Sequence, residues 1–357
     1  MTVYFLMYFL ILFGSSLWSK TGKTLEARRE CTAAFPIFWM ILVLGLRHPS
    51  MGTDLRYGMS GGYLGSFKII ANFSWGELFQ NGDWLNYERG YILYNKILSL
   101  VSTSPQWLLF VSAFLSLYPL KVLFKKYSKN IIFSYIVYLG LPCFMLPFSG
   151  LRQAIAIGIC CLATIPLVEK KRIKFCCLVL LAMCFHSSAV IYFVSYPLFN
   201  WRIPKNVREC MIPILVVIYL ARYPIFSIAS RLFKENAIVQ YNSAVTLLAV
   251  FVLVLFFCQI FMDEEDREAV GFLNIFYFAC VCQCFAGVYN TAMRVGYYFM
   301  PAIAVALPSV VMDMKDYRSQ RISYVAIMTV FLFYGLYALS SPSWAMTNPY
   351  HFFWCKL

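Results

Sequence analysis

Charge is what this chain has least of. Only 13% of its 357 residues are charged, with 16 acidic side chains and three histidines. No stretch is long and polar enough to make a separate soluble domain. There is no Walker loop, no dinucleotide fingerprint, no His/Cys metal spacing and no Asp-x-Asp pair, so nucleotide hydrolysis, dinucleotide redox chemistry and a sequence-evident metal centre drop out. Internal repeats and low-complexity tracts are missing as well.

What fills the sequence is apolar, at 61% hydrophobic and 18% aromatic. Runs of about 20 apolar residues recur, the length that crosses a bilayer. The expected fold is an all-α, polytopic transmembrane bundle forming one domain over 1–357, with about 10–12 spans. The spans are expected at about 2–18, 31–46, 105–122, 131–148, 153–168, 210–222, 243–262, 270–289, 294–312 and 322–340, with a short interfacial helix near 91–101. The segment at about 175–201 is long for one span and short for two. His186-Ser187-Ser188 interrupts it, so it reads as a broken or re-entrant pair. The first apolar run reads as a retained span, because no cleavage site follows it.

A net charge of +14 invites a nucleic-acid reading. The cations instead sit in short clusters between apolar runs (Lys20 to Arg29, Lys121 to Lys129, Lys170 to Lys174), which is the positive-inside pattern. Those clusters put the N-terminus, a long loop at about 47–90 and Arg152 on the extracytoplasmic side. The cysteines lie mostly in apolar runs, among them Cys160, Cys161 and Cys258. Cys280 and Cys284 share a helix face and read as packing residues.

The 47–90 stretch is the only long segment that is not mostly apolar. It carries Arg47, His48, Asp54, Arg56, Lys68, Glu77, Asp83, Glu88 and Arg89, and a polar loop over a membrane scaffold is a natural place for recognition. The plain alternative is a surface loop anchored in the headgroups by Phe67, Phe73, Trp75 and Trp84. Arg152 opens a span otherwise free of charge, and Arg294 lies between two apolar spans. Either is an interface anchor or an anion ligand, since a guanidinium fork pairs with phosphate oxygens. Arg47 and Arg56 are less telling alone, and Arg89 has Glu88 beside it as a partner. His186 is either a hydrogen-bonded core residue or a general base. Asp54 and Glu88 are the best-placed outer carboxylates, each a base or a counter-ion. His48 and His351 read as loop residues, and the Asp263 to Glu268 run as a solvated turn. Arginines suit an anionic headgroup and tyrosines can stack on sugars, which together point to a lipid-linked phosphate carrying a glycan.

An ordered set of short motifs runs through the chain: Arg47 with Gly52-Thr53-Asp54 and Tyr57, Glu88-Arg89-Gly90-Tyr91, Leu151-Arg152-Gln153-Ala154, Phe185-His186-Ser187-Ser188-Ala189, Arg294 with Tyr297, and Pro349-Tyr350. This set resembles the EpsG/Wzy family of bacterial polysaccharide polymerases. The resemblance implies a GT-C-like, metal-independent glycosyltransferase without cofactors, in the bacterial inner membrane with its active face periplasmic. It implies transfer of a growing glycan from undecaprenyl pyrophosphate to the non-reducing end of a new undecaprenyl-pyrophosphate-linked repeat unit, giving O-antigen. Capsule or exopolysaccharide polymerase, O-antigen ligase and a non-enzymatic transporter of lipid-linked sugars are the rival readings. Arg152 and Arg294 are then expected at the pyrophosphate, with Arg47, Arg56, Arg89, Tyr57 and Tyr297 assisting. His186, Asp54 or Glu88 would take the acceptor hydroxyl's proton. Expected partners are the lipid-linked oligosaccharide, membrane lipid and a chain-length regulator, with no nucleic acid.

Overall fold

Short polar residues set where several of the helices begin. Thr24 accepts from the N–H of Ala27 at 3.1 Å, and Asn130 from Phe133 at 3.1 Å. Ser104 caps a helix with Pro105 at its first position, where the missing N–H costs nothing. Asp266 accepts from both Glu268 and Ala269. The resulting structure, a computed structural model, describes residues 1–56, 58, 61–81, 86–232, 244–341 and 345–356. It is helical throughout, with no strand among the described residues beyond one isolated bridge between Arg47 and Phe352.

The chain packs as two units, Met1–Val190 with Ala326–Leu357, and Ile191–Val325. In the first, α1 (Thr2–Ser19) is followed by α2 (Leu25–Gly45), α3 (Gly62–Asn72), α4 (Trp75–Asn81), α5 (Arg89–Ser99), α6 (Pro105–Tyr127), α7 (Ile131–Leu139), α8 (Leu151–Val168) and α9 (Arg172–Met183). Helices α2, α6, α8 and α9 pack in that order, α6 lying between α2 and α8. The α6–α8 crossing is close: a Cβ on Gly158 would lie 2.6 Å from the Leu115 carbonyl. A small residue at such a point lets two backbones meet. The second unit is built on α10 (Arg267–Cys284). Its Asn274 amide donates to the carbonyls of Leu198 and Trp201 at 3.1 and 3.0 Å, and the Tyr277 hydroxyl donates to Met211.

Among the described residues, four helices are long and apolar enough to cross a membrane: α1, α6, α8 and Tyr317–Ser340. Two bent pairs bring the number to six, 131–149 with an 80° bend and 206–231 with a 68° bend. That is fewer than the 10–12 spans expected, for reasons of length and charge. Val245–Phe261 and Met300–Met312 are apolar but short, and α2 carries Glu26, Arg28, Arg29 and Glu30 in its opening turns. The expected break at His186 is present: α9 stops at Met183, and a 3-10 helix, Ser187–Val194, takes over. The bends at Gly140 and Ala221 fall inside stretches that read as single crossings.

The described part of the 47–90 stretch holds helices as well as turns. Helix α3 buries Tyr63, Leu64, Phe67 and Ile70 against α5 and α6. Phe67 is fully buried, so it is a core residue and not a headgroup anchor, whereas Trp75 is exposed. Trp84 and Asp83 lie outside the described residues. The Lys96 ammonium of α5 caps the end of α3, donating to the Ala71 carbonyl at 3.2 Å and to that of Phe73.

Candidate active site

Three segments of the first unit converge on one carboxylate. Glu88 immediately precedes α5, Arg152 stands in the first turn of α8, and His186 follows α9. The Arg152 Nη1 donates to Glu88 Oε2 at 2.5 Å. Glu88 Oε1 lies 3.0 Å from His186 Nδ1 and accepts from the Ser187 backbone N–H at 2.8 Å. The chain is held to this geometry where α5 meets the end of α9. Gly90 lies so close to Cys184 that a Cβ would sit 2.5 Å from its carbonyl, and the Tyr91 N–H donates to that same carbonyl at 3.1 Å. Only glycine fits there.

All three side chains are part-buried, with 20%, 16% and 22% of Arg152, Glu88 and His186 exposed. Burial works to raise the Glu88 carboxyl's pKa, but the hydrogen bonds from His186 and the Ser187 backbone, with the Arg152 charge, outweigh it. They push it down to about 2, so Glu88 is an anion at neutral pH. An ionised carboxylate can only accept, so Nδ1 of His186 carries a hydrogen, and in the neutral form of the ring Nε2 is the nitrogen with the lone pair.

Aromatic rings wall the cluster. The Arg152 guanidinium carbon lies 4.4 Å from the Tyr87 ring centre and 5.9 Å from that of Tyr63, and the two rings stack 5.7 Å apart. The Tyr63 hydroxyl accepts from Arg152 Nε at 3.4 Å. Neither tyrosine stood out in the sequence. The available signal was position, Tyr87 directly before Glu88 and Tyr63 directly after Gly61-Gly62.

The other expected site residues are placed as follows. Asp54 and Arg56 are exposed on a turn that docks on Ser149, three residues before Arg152: the Asp54 N–H donates to Ser149 Oγ at 3.0 Å. Arg56 folds back over Gly61 and Gly62 at the start of α3. Arg89 is exposed at the first position of α5. Arg47 is fully buried, donating to the carbonyls of Leu44, Pro147 and Phe148. His48 is buried, bonded to Ser50, and its N–H donates to the His351 carbonyl at 2.8 Å. Arg294, half-buried on Asn290–Gly296, and fully buried Tyr297 belong to the second unit. Tyr57 lies outside the described residues. Among the described residues no three His, Cys, Asp or Glu side chains gather as a metal site would require.

Fold and site thus define a multi-pass helical membrane protein with a carboxylate shared by a guanidinium and an imidazole. The chain belongs to the EpsG family, whose profile matches residues 31–352, nearly its whole length. Membership supports a polysaccharide-polymerase type of role. No curated protein and no solved structure matched the chain.

Proposed function

We propose that the protein is a metal-independent glycosyltransferase that polymerises lipid-linked repeat units at the outer face of the bacterial inner membrane. It moves the growing glycan from undecaprenyl pyrophosphate to the non-reducing end of an incoming undecaprenyl-pyrophosphate-linked unit. The observation that carries this is the Glu88 carboxylate held at once by Arg152 and His186.

Each side chain has a role that its contacts support. The acceptor's hydroxyl attacks the anomeric carbon of the donor glycan and gives its proton to Nε2 of His186. Glu88 holds the imidazole in that tautomer, as the third member of a nucleophile–base–orienter set does. The bond from the anomeric carbon to the pyrophosphate oxygen breaks, and charge grows on the departing diphosphate. Arg152 meets that charge in a part-buried site, where a fixed cation is worth more than in water. Asp54 and Arg56, presented on the turn docked at Ser149, are assigned to the sugar and to a second phosphate oxygen. Arg294 is a separate candidate for a lipid-linked diphosphate.

Complementation of a polymerase-null strain that makes the cognate lipid-linked unit tests the proposal. The intact protein restores a ladder of long polymer. Arg152→Ala, His186→Ala and Arg294→Ala should each leave single repeats at normal protein levels. A lipopolysaccharide ladder identifies O-antigen, and polymer found only in capsule or medium identifies an exopolysaccharide. Ordinary ladders from both Arg152→Ala and His186→Ala would remove the cluster from the chemistry.

A further inference from the structure

We infer that Tyr63 and Tyr87 are positioning residues that fix the plane of the Arg152 guanidinium and aim one nitrogen, Nη2, at the diphosphate. This rests on the reading of Arg152 as the diphosphate ligand.

An ion pair through Nη1 alone leaves the guanidinium free to swivel about the Nη1–Glu88 contact. Two further contacts remove that freedom. Nε is tethered to the Tyr63 hydroxyl, and the guanidinium carbon lies over the Tyr87 ring at 4.4 Å. The guanidinium centre and the two ring centres form a triangle with sides of 4.4, 5.7 and 5.9 Å, so the cation is wedged against both rings. The rings are braced in turn. Tyr91, fully buried, packs edge-on against both, 5.7 Å from Tyr63 and 5.6 Å from Tyr87, and Ser66 Oγ donates to the Tyr87 hydroxyl at 3.4 Å. With Nε and Nη1 engaged, Nη2 takes no hydrogen-bond partner among the described residues, and a fifth of the side chain is open. A planar, delocalised cation can be held by its face in this way, whereas an ammonium cannot. The same wall answers a difficulty of the cluster: Glu88 cancels much of the arginine's charge, so recognition must rest on one well-aimed donor.

The test uses the full-length protein in lipid nanodiscs and the lipid-linked repeat unit extracted from the polymerase-null strain, with inorganic pyrophosphate as competing probe. Tyr87→Leu removes the ring face. It should raise both KM and the pyrophosphate inhibition constant about tenfold, in line with a desolvated cation–π contact. Tyr87→Phe keeps the face and should stay within about twofold of wild type on both. Tyr63→Phe removes only the acceptor for Nε and should weaken pyrophosphate inhibition by about threefold to tenfold. Unchanged pyrophosphate inhibition in Tyr87→Leu, beside an inactive Arg152→Ala, overturns the inference and spares the proposed function. A loss of about tenfold or more in Tyr87→Phe also overturns it, and this arm decides the matter if Tyr87→Leu does not fold. A fully active Arg152→Ala removes the reading of Arg152 as the diphosphate ligand, on which the inference rests.

Discussion

Two arginines of the first unit make opposite use of one chemical group. Arg47 is sealed: fully buried, it donates to the carbonyls of Leu44, Pro147 and Phe148 and lies over the Phe148 ring at 5.3 Å. Around it the end of α2, the 131–149 bend and the C-terminal tail are tied together. The N–H of Phe353 donates to the Leu46 carbonyl at 3.0 Å, and the Tyr350 hydroxyl to that of Val43 at 2.8 Å. Burial lowers its pKa to about 10, which leaves it charged. Arg152 has a carboxylate and a phenol as partners, a fifth of its side chain open, and one nitrogen turned to no described group. Main-chain carbonyls are neutral and fixed, and a cation held by them ties the end of α2 to the 131–149 bend. A cation paired with side chains through Nε and Nη1 alone keeps a donor for a ligand, and a cation held that way can serve chemistry.

The largest effect should come from breaking the sealed site. Arg47→Met leaves three buried carbonyls without their donor, a loss of about 3 kcal/mol or more. The measurement is the amount of monodisperse protein extracted in mild detergent, and most of it should be gone. A well-folded Arg47→Met protein that has lost only activity would reverse the assignment and make Arg47 a ligand-binding cation. Arg152→Ala should do the opposite, with normal yield and unfolding midpoint but polymerisation down at least about 100-fold. Arg152→Lys should recover little, since an ammonium neither stacks on Tyr87 nor reaches Tyr63 and Glu88 together.

Much of this contrast is invisible in the sequence. The motifs around Glu88, Arg152 and His186 are readable as three separate marks, and the break at His186-Ser187 follows from a polar triplet inside an apolar run. That they meet is not readable, because Glu88 and His186 are 98 positions apart and pair through a crossing fixed by Gly90. Arg47 looked like an outer-loop cation because its partners are backbone carbonyls, which every residue has. Tyr63 and Tyr87 were hidden among 25 tyrosines, where a stacking residue and a packing residue look alike. The bend at Gly140-Leu141-Pro142 had its breaker residues, but the apolar run continued through them and hydropathy alone could not see an 80° turn.

Between the two extremes stands Glu88, and it sharpens the comparison by pH. Its folded-state pKa is depressed to about 2 from a free value of 4.5. A depressed carboxyl contributes stability that is present above the unfolded value and is lost as pH falls through the folded one. Wild type should therefore be more stable than Glu88→Gln by a constant margin above pH 5, and the gap should close between pH 4.5 and pH 2. Unfolding midpoints of the two proteins in detergent across that range are the measurement. Glu88→Gln should also slow polymerisation about 100-fold by loosening the imidazole. A margin that widens on acidification would mean that Glu88 is protonated in the folded protein and cannot be orienting His186 as drawn.

The smallest effect belongs to the cations at the other end of α6. Lys125 bonds Glu26 at 2.7 Å and Glu30 at 2.9 Å, yet Glu26 is 75% exposed and Lys125 itself 28%. Water and salt screen such pairs, and holding long side chains in one geometry offsets much of the attraction. Lys125→Ala should thus cost less than about 1 kcal/mol, and raising the salt should erase even that. The nearby Arg29 guanidinium resembles Arg47 instead, donating to the Lys125 and Ser128 carbonyls, the latter at 3.0 Å. Arg29→Ala should accordingly cost more than Lys125→Ala and keep its cost at high salt, because carbonyl partners are not ions to be screened. Equal, salt-sensitive losses in the two variants would show that charge alone, and not the kind of partner, separates a structural arginine from a working one.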